Sequence, residues 1–403
     1  METQGKETNL QFDEVIDRTG TDCLKYDFAV QRGKPEGVLP LWVADMDFKV
    51  SSLILDEIRQ RVDHGIFGYS ESDSEYFKAV AGWLYNRHHW TVEENWLVKT
   101  PGVVVALALA VKAYTNKGDA VLIQQPVYYP FKSVIEDNDR VAVSSDLVLG
   151  EDGKYHIDFA DFEQKIEEHS VKLFFLCSPH NPVSRVWKKE ELEKIGEICL
   201  KHHTIVVSDE IHSDFVYGEN RHYVFANLRP EFAEISVTCT SPAKTFNLAG
   251  LQVSNIFISN QKLREQFIRQ LDGIGYSQLN SFGLVACKAA YTKGQEWYQK
   301  MLAYVSDNIS YMKAFLEQEL PQLRMIEPEG TYLVWVDFRG LSLTEEQLEK
   351  LIVEEAHLWL DAGAIFGKIG EGFERFNVAC PRQTLEKALH QLKEAVHRCV
   401  PCL

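Results

Sequence analysis

The chain predicts an α/β fold, a mostly parallel mixed sheet flanked by helices, followed by a smaller α+β unit. Three observations carry this: short apolar runs recur through the middle of the sequence, a stretch of helical period separates two of them, and the rhythm changes beyond about residue 290. The runs are "AVLIQ" (120 to 124), "VAVSSDLVL" (141 to 149), "KLFFLC" (172 to 177), "TIVVSD" (204 to 209), "ISVTCT" (235 to 240) and "VSNIFIS" (253 to 259), each read as a strand. Between the third and fourth, "KKEELEKIGEICLKHH" sets Leu192, Ile195, Ile198 and Cys199 on one face with charges opposite, as in a helix crossing over a parallel sheet. Toward the C-terminus, "TYLVWVDF" and "FERFNVA" read as strands. "SLTEEQLEKLIVEEA" reads as a helix with a capping box from Ser342 to Glu345. "QTLEKALHQLKEAVHR" reads as a closing helix with Leu385, Ala388, Leu389, Leu392 and Val396 on one side. The expected organisation is an N-terminal arm (1–48) contributing to the small domain, a large domain (49–289) and a small C-terminal domain (290–403).

Composition narrows the function classes. With 403 residues, 45% apolar, the chain can bury a large core. A formal charge of -17 argues against a nucleic-acid or anionic-membrane surface, which leaves small molecules as the expected partners. The first twenty residues lack the apolar core of a signal peptide, and no apolar run approaches the roughly 18 residues of a membrane span, so a cytoplasmic location is expected. The eight cysteines are scattered, as suits reduced thiols, and the terminal "CVPC" reads as a frayed end rather than a zinc or redox site. "DEIH" stands without an HExxH pattern or a three-ligand cluster, so no metal is expected.

In open α/β sheets the ligand sits outside the carboxyl ends of the strands. Asn181 follows one such end in "CSPHNPVSRVW", Asp209 closes "TIVVSD", Ser241 and Lys244 follow "ISVTCT", and "TPGVVVALALAVKAY" runs through Gly102 into a helix. Taken singly these have ordinary explanations: a solvated lysine, an Asn-Pro turn, a capping aspartate, and core packing for the tyrosine pair in "QQPVYYPF". Together they match one ligand. Gly102 with the amides of Val103 and Val104 suits a phosphate, to which Ser241 adds a hydroxyl. Asp209 suits a protonated ring nitrogen, Asn181 and His212 a phenolate oxygen, and Lys244 an aldehyde. That set describes pyridoxal 5'-phosphate.

With "LPLWVADMDF", "GIFGYS", "KTPGVVVALALA", "QQPVYYPF", "SDEIHSDF", "SPAKTFNLAGLQ" and "ERFNVACPR" added, the chain resembles fold-type-I pyridoxal-phosphate enzymes over nearly its whole length. Within them it resembles the bacterial C-S lyases of the cystathionine β-lyase type (the MalY/PatB group). The resemblance implies that Lys244 is the Schiff-base lysine, Asp209 binds the ring nitrogen, and Asn181 with His212 faces the ring hydroxyl. Tyr128 would stack on the cofactor, with Tyr129 nearby as a proton carrier, and Arg375 would clamp the substrate carboxylate with a planar fork that lysine lacks. Tyr69 would reach the neighbouring subunit's cofactor and substrate, which implies a homodimer with active sites at the interface.

Three positions depart from ordinary aminotransferases of this fold, the third being His212, three after Asp209, where many carry a tyrosine. Gln252 stands eight positions after Lys244, where those enzymes usually carry an arginine, and Ala243 precedes the lysine where serine is common. The first departure favours α,β-elimination, in which cystathionine or another S-substituted cysteine yields a thiol, pyruvate and ammonia. An aminotransferase is the alternative, and a regulatory binding protein that retains lyase activity is a third reading.

Overall fold

In the computed structural model, which describes residues 12 to 399, seven strands form the principal sheet. They are β1 (Leu97–Thr100), β2 (Ala120–Ile123), β3 (Val141–Ser144), β4 (Leu173–Cys177), β5 (Ile205–Asp209), β6 (Ser236–Thr240) and β7 (Ser254–Phe257), in the spatial order β1-β7-β6-β5-β4-β2-β3. The pairs from β3 through β2, β4, β5 and β6 are parallel, while β7 is antiparallel to both β6 and β1. β4 and β6 are buried along their whole length, as apolar strands covered on both faces should be. The crossover helix α2 (Lys189–Lys201) buries Leu192, Ile195, Ile198 and Cys199 against the sheet, as its period predicts.

The antiparallel β7 has a local cause. Between β6 and β7 the chain makes only a short helix, α3 (Pro242–Thr245), and a 3-10 turn, too little to cross the sheet, so it reverses at one end. Lys244 therefore sits in a reversal at the carboxyl end of β6.

A second sheet follows, with β8 (Arg324–Met325), β9 (Leu333–Asp337), β10 (Asp361–Ala362) and β11 (Phe373–Asn377) in the order β8-β9-β11-β10, all antiparallel. The long helix α4 (Gln295–Glu319) and the closing helix α5 (Arg382–Cys399) pack against it, and α5 buries Leu385, Ala388, Leu389, Leu392 and Val396. The N-terminal segment is tied to this part: Leu39–Pro40 pairs parallel with Leu358–Trp359, and Trp42 stacks on Trp359 at 4.3 Å between ring centroids.

Three details depart from the sequence expectations. The 141 to 149 run breaks after Ser144, and Val148–Leu149 leaves the main sheet to form a hairpin with Tyr155–His156. The capping box lies one frame later than Ser342 to Glu345. Ser342 takes a left-handed conformation (φ 53°) ending a 3-10 turn, so Thr344 caps the helix, accepting from the Gln347 N–H while Gln347 accepts from the Thr344 N–H. The sequence offers both S/T-x-x-E/Q frames, and the turn decides between them. That helix then widens into a π-helical turn over Leu351–Glu355. Of the terminal "CVPC", Cys399 is exposed and the remainder lies outside the described residues.

The loop after β4 is locked by buried charge. Arg185 donates to Glu329 at 2.8 Å and to Glu191 at 2.9 Å, and Glu329 also accepts from the Val186 N–H (3.0 Å) and Lys154 (2.7 Å). Removing one charge of such a pair strands the other in a poor solvent. Glu329→Gln is expected to lower the stability by about 2–3 kcal/mol in urea unfolding; an unchanged midpoint would show that the clamp contributes nothing.

Candidate active site

The carboxyl ends of β4, β5 and β6, the start of α1 (Val103–Tyr114) and β11 of the second sheet enclose one cavity of about 530 Å³. Gly102, Val103, Val104, Tyr128, Tyr129, Asn181, Asp209, His212, Ser241, Lys244 and Arg375 all line it. Of the residues singled out from the sequence, only Tyr69 lies elsewhere. It is 99% exposed, in the loop after the helix Ser52–His64.

Lys244 projects from α3, and its Nζ donates to the backbone carbonyl of Ala44 at 2.6 Å. Burial brings its pKa down to about 8; the charge of Arg375 pushes the same way, against the pull of Asp45 and Asp209. Roughly a tenth of the amine is then free at pH 7, far more than an ordinary lysine offers to a carbonyl. Asp209 closes β5, and burial raises it to about 7, opposed by the Ile211 N–H (3.2 Å) and by Lys244. That N–H is its one side-chain hydrogen bond among the described residues, so a cationic N–H in the cavity would both satisfy and ionise it.

His212 is held well below its ordinary pKa, first by burial and then by the charges of Lys244 and Arg375, so it stays neutral. Its Nδ1 has no partner among the described residues. Asn181 accepts at Oδ1 from Arg375 Nη1 (2.9 Å). Because a guanidinium only donates, this contact fixes the amide orientation and leaves the Asn181 NH₂ as the free donor. The Asn181 carbonyl accepts from the Tyr128 N–H at 3.0 Å, which ties the two loops together. Burial keeps the Tyr128 and Tyr129 hydroxyls protonated across the neutral range.

Arg375 is buried on β11. It donates to Asn181, to the Trp42 carbonyl (2.8 Å) and to Asp361, and its guanidinium lies over the Phe366 ring at 4.9 Å. Nε has no partner among the described residues. Gly102 caps α1 with no side-chain cap, so the amides that follow it open on the cavity. Ser241 reaches the cavity, but its hydroxyl donates to the Val253 carbonyl (2.7 Å) and accepts from the Ala243 N–H (3.0 Å), which commits it to the turn rather than to a phosphate. Gln252 lines the cavity in a left-handed conformation (φ 49°).

Sequence reasoning missed three participants: the Ala44 carbonyl, Asp45, and Asp361. Asp361 stands directly opposite Arg375 in the β10-β11 register, a signal that becomes visible only once the two-residue strand β10 is known. The backbone carbonyl has no residue-type signature at all.

The raised pKa of Asp209 has a measurable consequence for the cofactor-free chain. The folded state holds a proton on Asp209 that the unfolded state releases above pH 4, so Asp209 subtracts stability as pH rises from about 4 to about 7. Asp209→Asn should remove that decline and leave the cofactor-free variant more stable at pH 7.5 by a few kcal/mol, roughly 1.4 kcal/mol per pKa unit. Parallel stability-pH curves for both proteins would refute it.

Residues 37–392 match the family model for aminotransferase class I and II. The chain is 43% identical to cystathionine beta-lyase PatB of Bacillus subtilis, over 96% of this chain and 100% of that one. It is 33% identical to protein MalY of Escherichia coli, over 96% and 99%. Among solved structures, that of cystalysin from Treponema denticola, which contains a pyridoxal 5'-phosphate cofactor, superposes with a TM-score of 0.94 at 36% identity, covering 97% of this chain and 100% of that one. The chain therefore belongs to the aminotransferase class I and II family, in the group that includes PatB and MalY.

Proposed function

We propose that the chain is a pyridoxal-phosphate-dependent carbon-sulfur β-lyase that cleaves L-cystathionine, and other S-substituted cysteines, to a thiol, pyruvate and ammonia. The observation that carries this is one cavity holding a depressed lysine amine, a raised aspartate and a guanidinium fork, in a chain matched over 96% of its length by a cystathionine beta-lyase and by a C-S lyase.

The residues fit the cofactor. The α1 N-terminus at Gly102, Val103 and Val104 would hold its phosphate, Asp209 its ring N–H, and Asn181 and His212 its ring oxygen. Tyr128 would cover the ring face, and Lys244 would bond the aldehyde carbon. When bound, pyridoxal phosphate supplies an electron sink that makes a proton at the substrate Cα removable. Arg375 holds the α-carboxylate. The Asp361 carboxylate that Arg375 grips in the meantime is disposed toward its neutral form by burial, which eases the exchange for substrate. Lys244, once its amine is free, would be the base placed to take the Cα proton. The Tyr129 hydroxyl, still protonated at neutral pH, is the candidate to deliver a proton to the departing sulfur.

We read the assembly as a homodimer acting in the cytoplasm. The exposed Ile66, Phe67 and Tyr69 form an apolar tip outside the chain's own cavity, as expected of a loop that serves a neighbour. No helix among the described residues is long and apolar enough to cross a membrane. The division into an arm (1–48), a large domain (49–289) and a small domain (290–403) is supported by the two separate sheets and by the pairing of Leu39–Pro40 with Leu358–Trp359.

Pyruvate should appear from L-cystathionine with no keto acid present, detected through lactate dehydrogenase and NADH. A requirement for a keto acid would instead establish the aminotransferase. Lys244→Ala should lose turnover and the cofactor's lysine-linked absorbance together. Mixing inactive Lys244→Ala with an impaired Tyr69→Ala protein should restore about a quarter of wild-type activity, because half the dimers are mixed and each has one intact site; no recovery after subunit exchange would place Tyr69 outside the partner's site.

A further inference from the structure

Beside the active-site cavity lies a second one, of about 690 Å³, and Arg32, Trp42, Tyr128, Tyr129 and Asp361 line both. Its charges are arranged unevenly. Lys34 is paired with Glu349, Lys132 with Glu136, and Asp361 with Arg375. Arg32 is the exception. Its guanidinium lies over the Trp42 ring at 5.5 Å and has no hydrogen bond or carboxylate among the described residues. Trp42 and Trp359, stacked on each other, give the second cavity an apolar wall, and the Glu349 carboxylate supplies its acidic side. Burial, and then the nearby carboxylates of Glu349, Asp361 and Glu345, drive Glu374 toward its neutral form.

An unpaired guanidinium, an apolar wall and an acidic side are the complement of an amino acid attached through a short aliphatic chain. We propose that this second cavity is the subsite for the distal half of a thioether substrate that carries its own amino-acid group, with Arg32 taking the distal carboxylate, Glu349 the distal ammonium, and Trp42 and Trp359 the methylenes. The proposal rests on the β-lyase reading and adds the residues that set its preference among sulfur amino acids. Substrates with a small S-substituent leave this cavity empty and gain nothing from Arg32.

The test uses the pyridoxal-phosphate-loaded protein with three ligands: L-cystathionine, S-(3-carboxypropyl)-L-cysteine, which lacks the distal amine, and S-methyl-L-cysteine, which lacks both distal groups. Apparent affinity is taken as KM where pyruvate is released and as a calorimetric Kd where it is not. Arg32 is exposed and unpaired, so Arg32→Ala should fold normally, with an unchanged melting temperature. It should weaken the first two ligands roughly 10- to 100-fold, the size expected for losing a charged hydrogen bond, and leave S-methyl-L-cysteine within about twofold. Glu349→Gln should weaken L-cystathionine alone. Equal effects of Arg32→Ala on all three ligands, or on none, would overturn the subsite. Wild-type protein that releases pyruvate from no ligand would overturn the lyase reading instead, and the affinity ratios would still decide the subsite.

Discussion

Everything at this site follows from burying an amine and a carboxylate in the same poorly solvated cavity. Burial disfavours the charged form of each, so Lys244 falls to about 8 and Asp209 rises to about 7, although their mutual attraction opposes both shifts. Neither group reaches the solvation it would have in water. Each is shifted toward its neutral form, the one burial penalises least and chemistry can use: a nucleophilic amine, and an acid that would ionise beside a cationic N–H. Burial therefore creates a preference for one particular ligand before any contact to it is made.

The fold can sustain that burial because of how the parallel sheet ends. Adjacent parallel strands β4, β5 and β6 present their carboxyl termini side by side, so residues far apart in the chain enter one small volume. The reversal from β6 to β7 then keeps Lys244 at that edge rather than carrying it across the sheet. The lid is made by a separate segment. Asn247, three residues after the lysine, donates to the Met46 and Phe48 carbonyls and accepts from the Met46 N–H, while Arg18 and the wholly buried Lys25 neutralise Asp47. The loop that gives Lys244 its hydrogen-bond acceptor is thus fastened by the same turn that carries Lys244.

Gly102, Asn181, Asp209 and Lys244 were legible because apolar runs mark strands and a parallel sheet concentrates its function at strand ends. The pattern of charges on "KKEELEKIGEICLKHH" placed a helix for the same reason: burial selects one face. Arg375 was different. Periodicity put it inside a strand, and only the likeness to known enzymes gave it a role. Asp361 was illegible, since β10 has two residues and its pairing with Arg375 is a matter of register, which the one-dimensional pattern does not encode. The mixed sheet is expected from the sequence, but which strand runs antiparallel stays open there, because the apolar pattern of β7 reads the same in either orientation. The choice of Thr344 over Ser342 as a cap turned on one left-handed residue in a sequence that offers both frames.

Arg375 is where these separately built parts meet. One guanidinium reaches Trp42 of the N-terminal segment, Asn181 of the loop after β4, and Asp361 of the second sheet. Asn181 in turn is held by Tyr128 and its loop by the Glu329 clamp. A carboxylate that entered and drew the fork away from Asp361 would change a contact shared by all three segments, and binding at Arg375 would then be coupled to the seating of the second sheet over the cavity. Lysine could carry the charge but would have to reach all three acceptors from one nitrogen, whereas the planar fork reaches them from two, so these contacts favour arginine at this position.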